Sequence, residues 1–133
     1  MTMRRNISSG SQWEKTVGYS RAVRVGNLIE VAGTTAVDER GQVVGAGDPY
    51  RQAQYIFEKI GRALAEAGAG FENVIRTRMF VTDIERWEDV GRAHGEVFRD
   101  VRPAATLVQV ASLVRSDLLV EIEATALVPE ESA

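Results

Sequence analysis

Two carboxylates near the end of the chain are the residues best placed to do chemistry. Glu121 and Glu123 are separated by one residue in the run VEIEATALV, so they share one face of a predicted strand. Two such groups repel each other, and each needs a cation or a hydrogen-bond donor nearby. Arg76 and Arg78 have the matching spacing on another predicted strand. The pattern fits either a structural network of ion pairs or a Glu121 that carries a proton or positions water at a cleft between subunits.

The single histidine, His94, lies on the inner stripe of a predicted helix. A histidine at the edge of the core with one hydrogen bond and a general base both remain open at this point. The chain has no cysteine, which excludes thiolate metal sites, and one histidine is too few for a histidine-based site. We therefore expect neither a metal nor another cofactor.

Two side chains in predicted loops could contact a ligand. Tyr19 precedes the first predicted strand, and its phenol could either hydrogen-bond a ligand or simply pack. Arg102 is the loop cation nearest the start of the fourth strand of the predicted order. A guanidinium binds a carboxylate through two parallel hydrogen bonds, so Arg102 could hold a small acid, and a solvated surface arginine is the alternative.

Familiar catalytic and phosphate-binding motifs do not occur in the sequence. It contains no P-loop, no dinucleotide-binding glycine fingerprint, no Gly-x-Ser-x-Gly and no His-Glu-x-x-His. The net charge of −3 and the lack of a basic run with aromatics give no reason to expect nucleic acid as a partner. No apolar stretch is long enough for a signal peptide or a membrane span, so we expect a cytoplasmic protein without a membrane partner.

Hydrophobic periodicity predicts one domain, residues 1–133, with the element order ββαβαββ. The strands are predicted at 20–25, 28–33, 74–81, 106–113 and 118–128, and the helices at about 49–67 and 85–98. Gly26-Asn27 has the composition of a two-residue hairpin turn, and Asp48-Pro49 that of a helix start. Residues 1–17 are polar and expected to be loosely ordered. The order predicts an α+β fold with both helices on one face of a sheet.

The predicted sheet has two unlike faces. Alternation assigns one face to Ile75, Thr77, Met79, Val81, Val120, Ile122, Ala124, Ala126 and Val128, and the other to Val74, Arg76, Arg78, Phe80, Leu119, Glu121, Glu123, Thr125 and Leu127. The more apolar face should lie under the helices. The second face mixes charges with aliphatic residues, which favours partial cover by another subunit over a monomer.

Five stretches in order resemble the YjgF family of reactive-intermediate (enamine/imine) deaminases, called Rid and also known as L-PSP endoribonuclease. They are GYSRAVRVGNLIEVAGTTAV, ALAEAGAGFENVIRTRMFVTDI, VGRAHGEVF, RPAATLVQVASL and VEIEATALV, within residues 18–128. The resemblance implies a chorismate-mutase-like ββαβαββ fold. It also implies a homotrimer whose sheets form a central barrel, with three small-molecule clefts between subunits.

One residue departs from the family pattern at the implied ligand site. Deaminating members hold the acid end of an imino acid with the arginine of a Pro-Ala-Arg-Ser/Thr motif, and water attacks the imine carbon to release ammonia. Here residues 103–106 read PAAT, so Ala105 stands where the family has that arginine. The other cleft positions implied by the resemblance are Tyr19, Gly33, His94 in place of the family's usual tyrosine, Thr106 and Glu121.

A methyl group at position 105 cannot pair with a carboxylate. Losing a buried, charge-assisted bidentate contact typically costs about 2–5 kcal/mol of binding free energy. We therefore expect ordinary hydrolysis of 2-imino acids to be weak or absent. Activity could persist if Arg102 turned into the cleft or if the natural ligand lacked a carboxylate.

Three functional hypotheses follow. The first is a homotrimer that binds a small metabolite, such as an imine, an enamine or a small carboxylic acid, with Glu121 as candidate catalytic residue and the hydrolysis altered or lost. The second is a non-catalytic trimer that senses a metabolite or binds a protein. The third, an endoribonuclease, is disfavoured because the sequence shows neither a basic groove nor a clear acid–base pair for phosphodiester cleavage.

Overall fold

The computed structural model describes residues 3–130 as one mixed sheet with helices packed on it. Two short 3₁₀ turns lie at Phe71–Asn73 and Ile84–Arg86. The elements are β1 (Arg4–Ile7), α1 (Gln12–Val17), β2 (Ala22–Val25), β3 (Leu28–Thr35), α2 (Pro49–Glu66), β4 (Val74–Val81), α3 (Trp87–Phe98), β5 (Ala104–Gln109) and β6 (Val120–Leu127).

The sheet has the strand order β1-β2-β3-β6-β4-β5. All neighbouring pairs are antiparallel except β4 and β5, which run parallel. A parallel pair needs a crossover connection, and α3 supplies it between β4 and β5. The turn between β2 and β3 has a positive φ at Gly26 and none at Asn27, as a type II′ hairpin requires. The predicted ββαβαββ order is confirmed for β2 through β6.

Helix α2 begins and ends as its sequence predicts. The Asp48 side chain accepts a hydrogen bond from the Arg51 backbone N–H at 3.2 Å, and Pro49 occupies the first turn. Gly68 follows the helix at φ 85°, a left-handed conformation that glycine adopts without the steric cost of a Cβ. The apolar stripe between these ends is buried against β3 and β6.

The core lies between the sheet and the helices α2 and α3. Phe57 and Phe98 are in edge-to-face contact there, with ring centroids 5.6 Å apart. The alternation predicted for β6 is confirmed. Its buried members are Val120, Ile122, Ala124 and Ala126.

The N-terminal segment is more ordered than we expected. Residues 4–7 pair with β2, and Ile7 is buried there. The Arg5 side chain donates to the carbonyl of Glu66 at the end of α2, 2.9 Å away. Glu14 of α1 is buried and accepts hydrogen bonds from the backbone and side chain of Ser9. Elements this short carry no measurable periodicity, and distant contacts hold them in place.

The structure corrects one residue of the predicted β4 alternation. Val74 pairs with Ala126 and Arg76 pairs with Thr125, so the intervening Ile75 is an extra residue in a bulge. Val74 is therefore buried under the helices, whereas Ile75 is 49 % exposed. The bounds of β5 also differ, because the strand begins two residues before the predicted start at 106 and ends at Gln109.

Candidate functional site

Glu121 lies on the sheet face that the helices leave open, which we call the open face. It is opposite Thr35 of β3 on one side and Phe80 of β4 on the other. Burial raises the pKa of Glu121, an effect that the charge of Arg21 partly offsets and that of Glu123 reinforces. A carboxyl group in this setting can hold a proton more readily than a solvated one, so it can donate one to a bound molecule.

Gly33 makes room for the Glu121 carboxylate. A bulge in β3 places Ala32 and Gly33 together opposite one residue of β6, between the pairs Val31–Ala124 and Thr34–Ile122. A Cβ built at Gly33 would overlap Glu121 Oε2, well inside the van der Waals contact distance of the two atoms. The structure therefore brings together Gly33 and Glu121, two of the residues that the sequence assigned to the site.

Glu123, by contrast, has an ionic partner. Its Oε1 lies 3.6 Å from Nη1 of Arg78, the residue directly opposite on β4. Arg76 does not join this pair, because its Nη2 donates to Thr106 Oγ1 at 2.5 Å. The structural ion-pair reading therefore holds for Glu123 and fails for Glu121, which has no salt bridge among residues 3–130.

Tyr19 and Arg21 lie in the segment before β2, and the charge of Arg21 acts on Glu121. Tyr19 is 38 % exposed and follows Gly18, whose φ of 89° ends α1. The Arg21 guanidinium carbon lies 5.9 Å from the centre of the Tyr19 ring, and Arg21 Nη2 donates to the carbonyl of Gly33. Sequence reasoning missed Arg21. Its position two residues after Tyr19, alternating with the buried Ala22, was the available signal.

Lys59 is a second cation that sequence reasoning missed. From α2 its Nζ donates to the carbonyls of Thr35 at 2.8 Å and Val37 at 3.0 Å. Burial, together with the charges of Arg21 and Arg62, lowers the pKa of Lys59 to about 8, while Asp38 acts in the opposite direction. Two cations, Arg21 and Lys59, therefore contact the C-terminal end of β3.

His94 lies on the other side of the sheet. Its Nε2 is 2.9 Å from Thr77 Oγ1, and its ring contacts Phe57 and Phe98 at centroid distances of 5.8 and 4.7 Å. Burial lowers the pKa of His94. Within one chain the structure does not bring this histidine to Glu121, and its environment is that of a hydrogen-bonded residue at the edge of the core.

Ala105 and Thr106 lie on β5, the edge strand. Ala105 is level with Thr77 and shares its side of the strand with Leu107, which packs against the core. Glu121 is level with Phe80 on the open face, two strands away. Standard strand spacings put the Cα atoms of Ala105 and Glu121 roughly 14 Å apart. Only Thr106 of this pair is on the same face as Glu121, so a single chain does not assemble the implied cleft.

Arg102 does not point to this region. It has a left-handed φ of 55° just beyond α3, and its backbone N–H donates to the Phe98 carbonyl at 2.8 Å. Its exposed side chain folds back so that Nε donates to the Arg99 carbonyl at 3.3 Å. This contact closes the last turn of α3 and leaves Arg102 in solvent.

The described part of the chain, residues 3–130, has no cluster of three or more histidine, cysteine or acidic side chains arranged to hold a metal. None of its helices has the length and hydrophobicity that a membrane crossing requires.

Comparison with known proteins adds to this geometry. The family model described as Endoribonuclease L-PSP matches residues 10–128. An uncharacterized protein of Streptomyces coelicolor is 43 % identical over 122 residues, which cover 92 % of this chain and 90 % of that protein. The 3-aminoacrylate deaminase RutC of Acinetobacter baylyi is 33 % identical over 108 residues, 81 % of this chain and 85 % of its own length.

Solved structures of other proteins have the same fold as this chain. A crystal structure of a YjgF-family protein from Mycobacterium tuberculosis superposes with a TM-score of 0.86 at 45 % identity, over 95 % of this chain and all of that chain. A protein of unknown function from Pseudomonas aeruginosa superposes with a TM-score of 0.79 at 32 % identity, over 96 % and 94 % of the two chains.

Proposed function

Because the chain belongs to the YjgF/Rid/L-PSP family, we propose that it binds a small metabolite in clefts between the subunits of a homotrimer. Its imine or enamine hydrolysis is altered or lost relative to deaminating relatives, because Ala105 stands at the family's arginine position. The observation that carries this proposal is the half-buried Glu121 carboxyl over Gly33, an acid–base group that lacks an ionic partner among residues 3–130.

The chemistry that Glu121 can support is addition of water to a carbon–nitrogen double bond. Water forms a bond to the imine carbon, the carbon–nitrogen bond breaks, and the nitrogen leaves as ammonia with a carbonyl compound as the other product. The nitrogen must gain protons on the way, and a carboxyl group with a raised pKa is suited to deliver and recover one. RutC, a relative at 33 % identity, is named for the deamination of 3-aminoacrylate.

Two features support a cleft between subunits. Ala105 and Glu121 lie on opposite faces of one sheet, so a side chain at position 105 points away from the Glu121 of its own chain, and a neighbouring chain would have to supply that residue to the cleft. The open face and its edges also leave large apolar side chains in water. They are Val25, Leu28, Ile75, Val108 and Leu127, each 39–49 % exposed. Burial of such a patch against another copy would stabilise an assembly.

The test is turnover of simple 2-imino acids by wild type, Ala105→Arg, Glu121→Gln and Glu123→Gln, with light scattering to measure the mass against the 14.6 kDa chain. We expect a trimer, slow wild-type turnover, and a gain in Ala105→Arg. In that active background Glu121→Gln should reduce kcat roughly 100-fold or more. Glu123→Gln is the matched control on the same strand and should leave kcat nearly unchanged.

Fast turnover by the wild type would contradict the assignment of Ala105, and a monomer would contradict the intersubunit cleft. Equal losses in both glutamate variants would remove the special role of Glu121. Binding of a metabolite without product in every variant would favour the non-catalytic sensor instead. His94 packs between two phenylalanines rather than beside Glu121, and this placement gives no support to a ribonuclease acid–base pair.

A further inference from the structure

The guanidinium of Arg21 is largely enclosed and only partly satisfied. Nη2 donates to the Gly33 carbonyl, whereas Nε is buried and has no hydrogen-bond partner within residues 3–130. Nη1 makes no hydrogen bond in that part of the chain either, and it is not among the buried atoms. A guanidinium has five N–H donors in a fixed plane, so Arg21 retains unused donors with one accessible edge.

No carboxylate neutralises this cation. Within the described residues, no acidic oxygen lies within 4.0 Å of an Arg21 nitrogen. Glu14 attracts Arg21 electrostatically but is hydrogen-bonded to Ser9, and Glu121 acts on Arg21 only from beyond that distance. Lys59, whose pKa the charge of Arg21 helps to lower, adds a second positive charge nearby. A half-buried charge without a counter-ion is unfavourable, and an anion from solution would relieve it.

We propose that Arg21 is the anion anchor of this cleft and binds the carboxylate of a small organic acid. The inference rests on the proposed function for the location of the cleft. Arg21 would then bind the acid end of the ligand, which Ala105 cannot do. The carboxylate would sit on the accessible edge of Arg21, beside the Tyr19 ring, with the ligand's reactive carbon directed at Glu121. Because burial raises the pKa of Glu121, that side chain can be neutral beside a bound anion.

The other arginines of the region are less suited. Arg102 is turned back onto the Arg99 carbonyl. Arg76 also has a buried Nε without a partner among residues 3–130, but its Nη2 donates to Thr106 Oγ1, and Arg21 is the cation that offsets the raised pKa of Glu121. Arg24 donates to the carbonyls of Gly26 and Ala67 at the end of α2, on the helix side of the sheet. Arg24 therefore serves as a control that loses equal charge and similar backbone contacts away from Glu121.

The test measures dissociation constants by NMR titration of the full chain with 2-oxobutanoate, a stable keto-acid counterpart of an imino acid. Butanone, which has the same carbon chain without the carboxylate, and inorganic phosphate are the comparison ligands. The proteins are wild type, Arg21→Gln, Arg21→Lys and Arg24→Gln, each checked for an unchanged fold by its NMR spectrum and melting temperature. Arg21→Lys keeps the charge and removes the planar pair of donors.

We expect Arg21→Gln to weaken 2-oxobutanoate binding roughly 30-fold or more, and Arg21→Lys to weaken it less. Arg24→Gln and the wild type should agree within about twofold, and butanone should bind much more weakly than 2-oxobutanoate. Equal binding of butanone, equal losses in Arg21→Gln and Arg24→Gln, or tighter binding of phosphate than of 2-oxobutanoate would overturn the proposal. If Arg21→Gln does not fold, the ratio of 2-oxobutanoate to butanone affinity in Arg21→Lys decides it.

Failure of this inference can be separated from failure of the proposed function. Binding that depends on Arg21 with no turnover in wild type or Ala105→Arg would leave the anchor standing and remove the hydrolase. Turnover with a KM that does not change in Arg21→Lys would leave the hydrolase standing and remove the anchor. In the expected case Arg21→Lys raises KM for a 2-imino acid and changes kcat less.

Discussion

The two faces of the sheet differ in how fully their buried polar groups are hydrogen-bonded. On the helix side, polar groups that enter the core are matched. Gln52 is fully buried, and its amide bonds to the carbonyls of Gly45 and Asp117 and to the backbone N–H of Leu119. Among residues 3–130, Arg76 Nε of β4 and Arg21 Nε, near the β3 bulge, are buried without a hydrogen-bond partner. Gln52 on the helix side is therefore fully hydrogen-bonded, whereas the two arginine Nε atoms have no partner within residues 3–130.

The largest expected difference between the faces is in stability. Ile122 is fully buried, so Ile122→Ala should lower the free energy of unfolding by about 2–5 kcal/mol. Leu127, on the same strand but 49 % exposed, should lose under about 1 kcal/mol when changed to alanine, plus a part that grows with protein concentration if an assembly covers it. Urea unfolding at two protein concentrations measures both. If Ile122→Ala and Leu127→Ala lowered the free energy of unfolding equally at both protein concentrations, the distinction between the two faces would be contradicted.

The dependence of stability on pH should have opposite signs for the two faces. Burial lowers the pKa of His94 below 6.5. The contribution of His94 to the free energy of unfolding is therefore complete above pH 6.5 and is lost as pH falls through the pKa of the folded state. Burial raises the pKa of Glu121 above 4.5, so its contribution is complete below pH 4.5 and is lost as pH rises through the folded pKa.

Urea unfolding between pH 4 and pH 8 checks this for wild type, His94→Gln and Glu121→Gln. His94→Gln should flatten the fall in stability below pH 6.5, and Glu121→Gln should flatten the fall above pH 4.5. Since glutamine is neutral at every pH, neither variant retains the titration it removes. Profiles parallel to the wild type in both variants would show that the two environments do not shift these groups.

The smallest expected effect belongs to a residue that neither face uses. Arg102 is exposed and bonds the last turn of α3 with a long, 3.3 Å contact. Arg102→Ala should change the free energy of unfolding by no more than about 0.5 kcal/mol and leave 2-oxobutanoate binding unchanged. A loss of ligand binding in this variant would show that Arg102, and not Arg21, reaches the cleft.

The sequence predicted regular elements where its pattern was long enough to repeat. Helices α2 and α3 and the central strands fall close to their expected positions, because each contains many residues that follow one hydrophobic period. The bulge at Ile75 was not foreseen, because one inserted residue reverses the alternation without changing composition. The ordered N-terminal segment was missed because β1 and α1 are only four and six residues long.

Part of the candidate site was also within reach of the sequence. Glu121 was singled out by its spacing from Glu123, Tyr19 by its place before the first strand and Gly33 by resemblance. The structure places Gly33 against Glu121 and Tyr19 beside Arg21. Which glutamate is paired was not decidable from alternation, because both have the same parity. The strand register places Arg78 of β4 directly opposite Glu123 and places Phe80 of β4 directly opposite Glu121.

The sequence by itself indicated the family by resemblance. It also determined the element order from β2 to β6 and the division of the sheet into an apolar and a mixed face, because these depend on local pattern repeated along the chain. Only the tertiary structure decided that His94 belongs to the core, that Arg102 caps a helix and that Arg21 and Lys59 surround the end of β3. Such facts depend on register, on bulges and on which side chains share a buried space, and each of these is set by residues far apart in the chain.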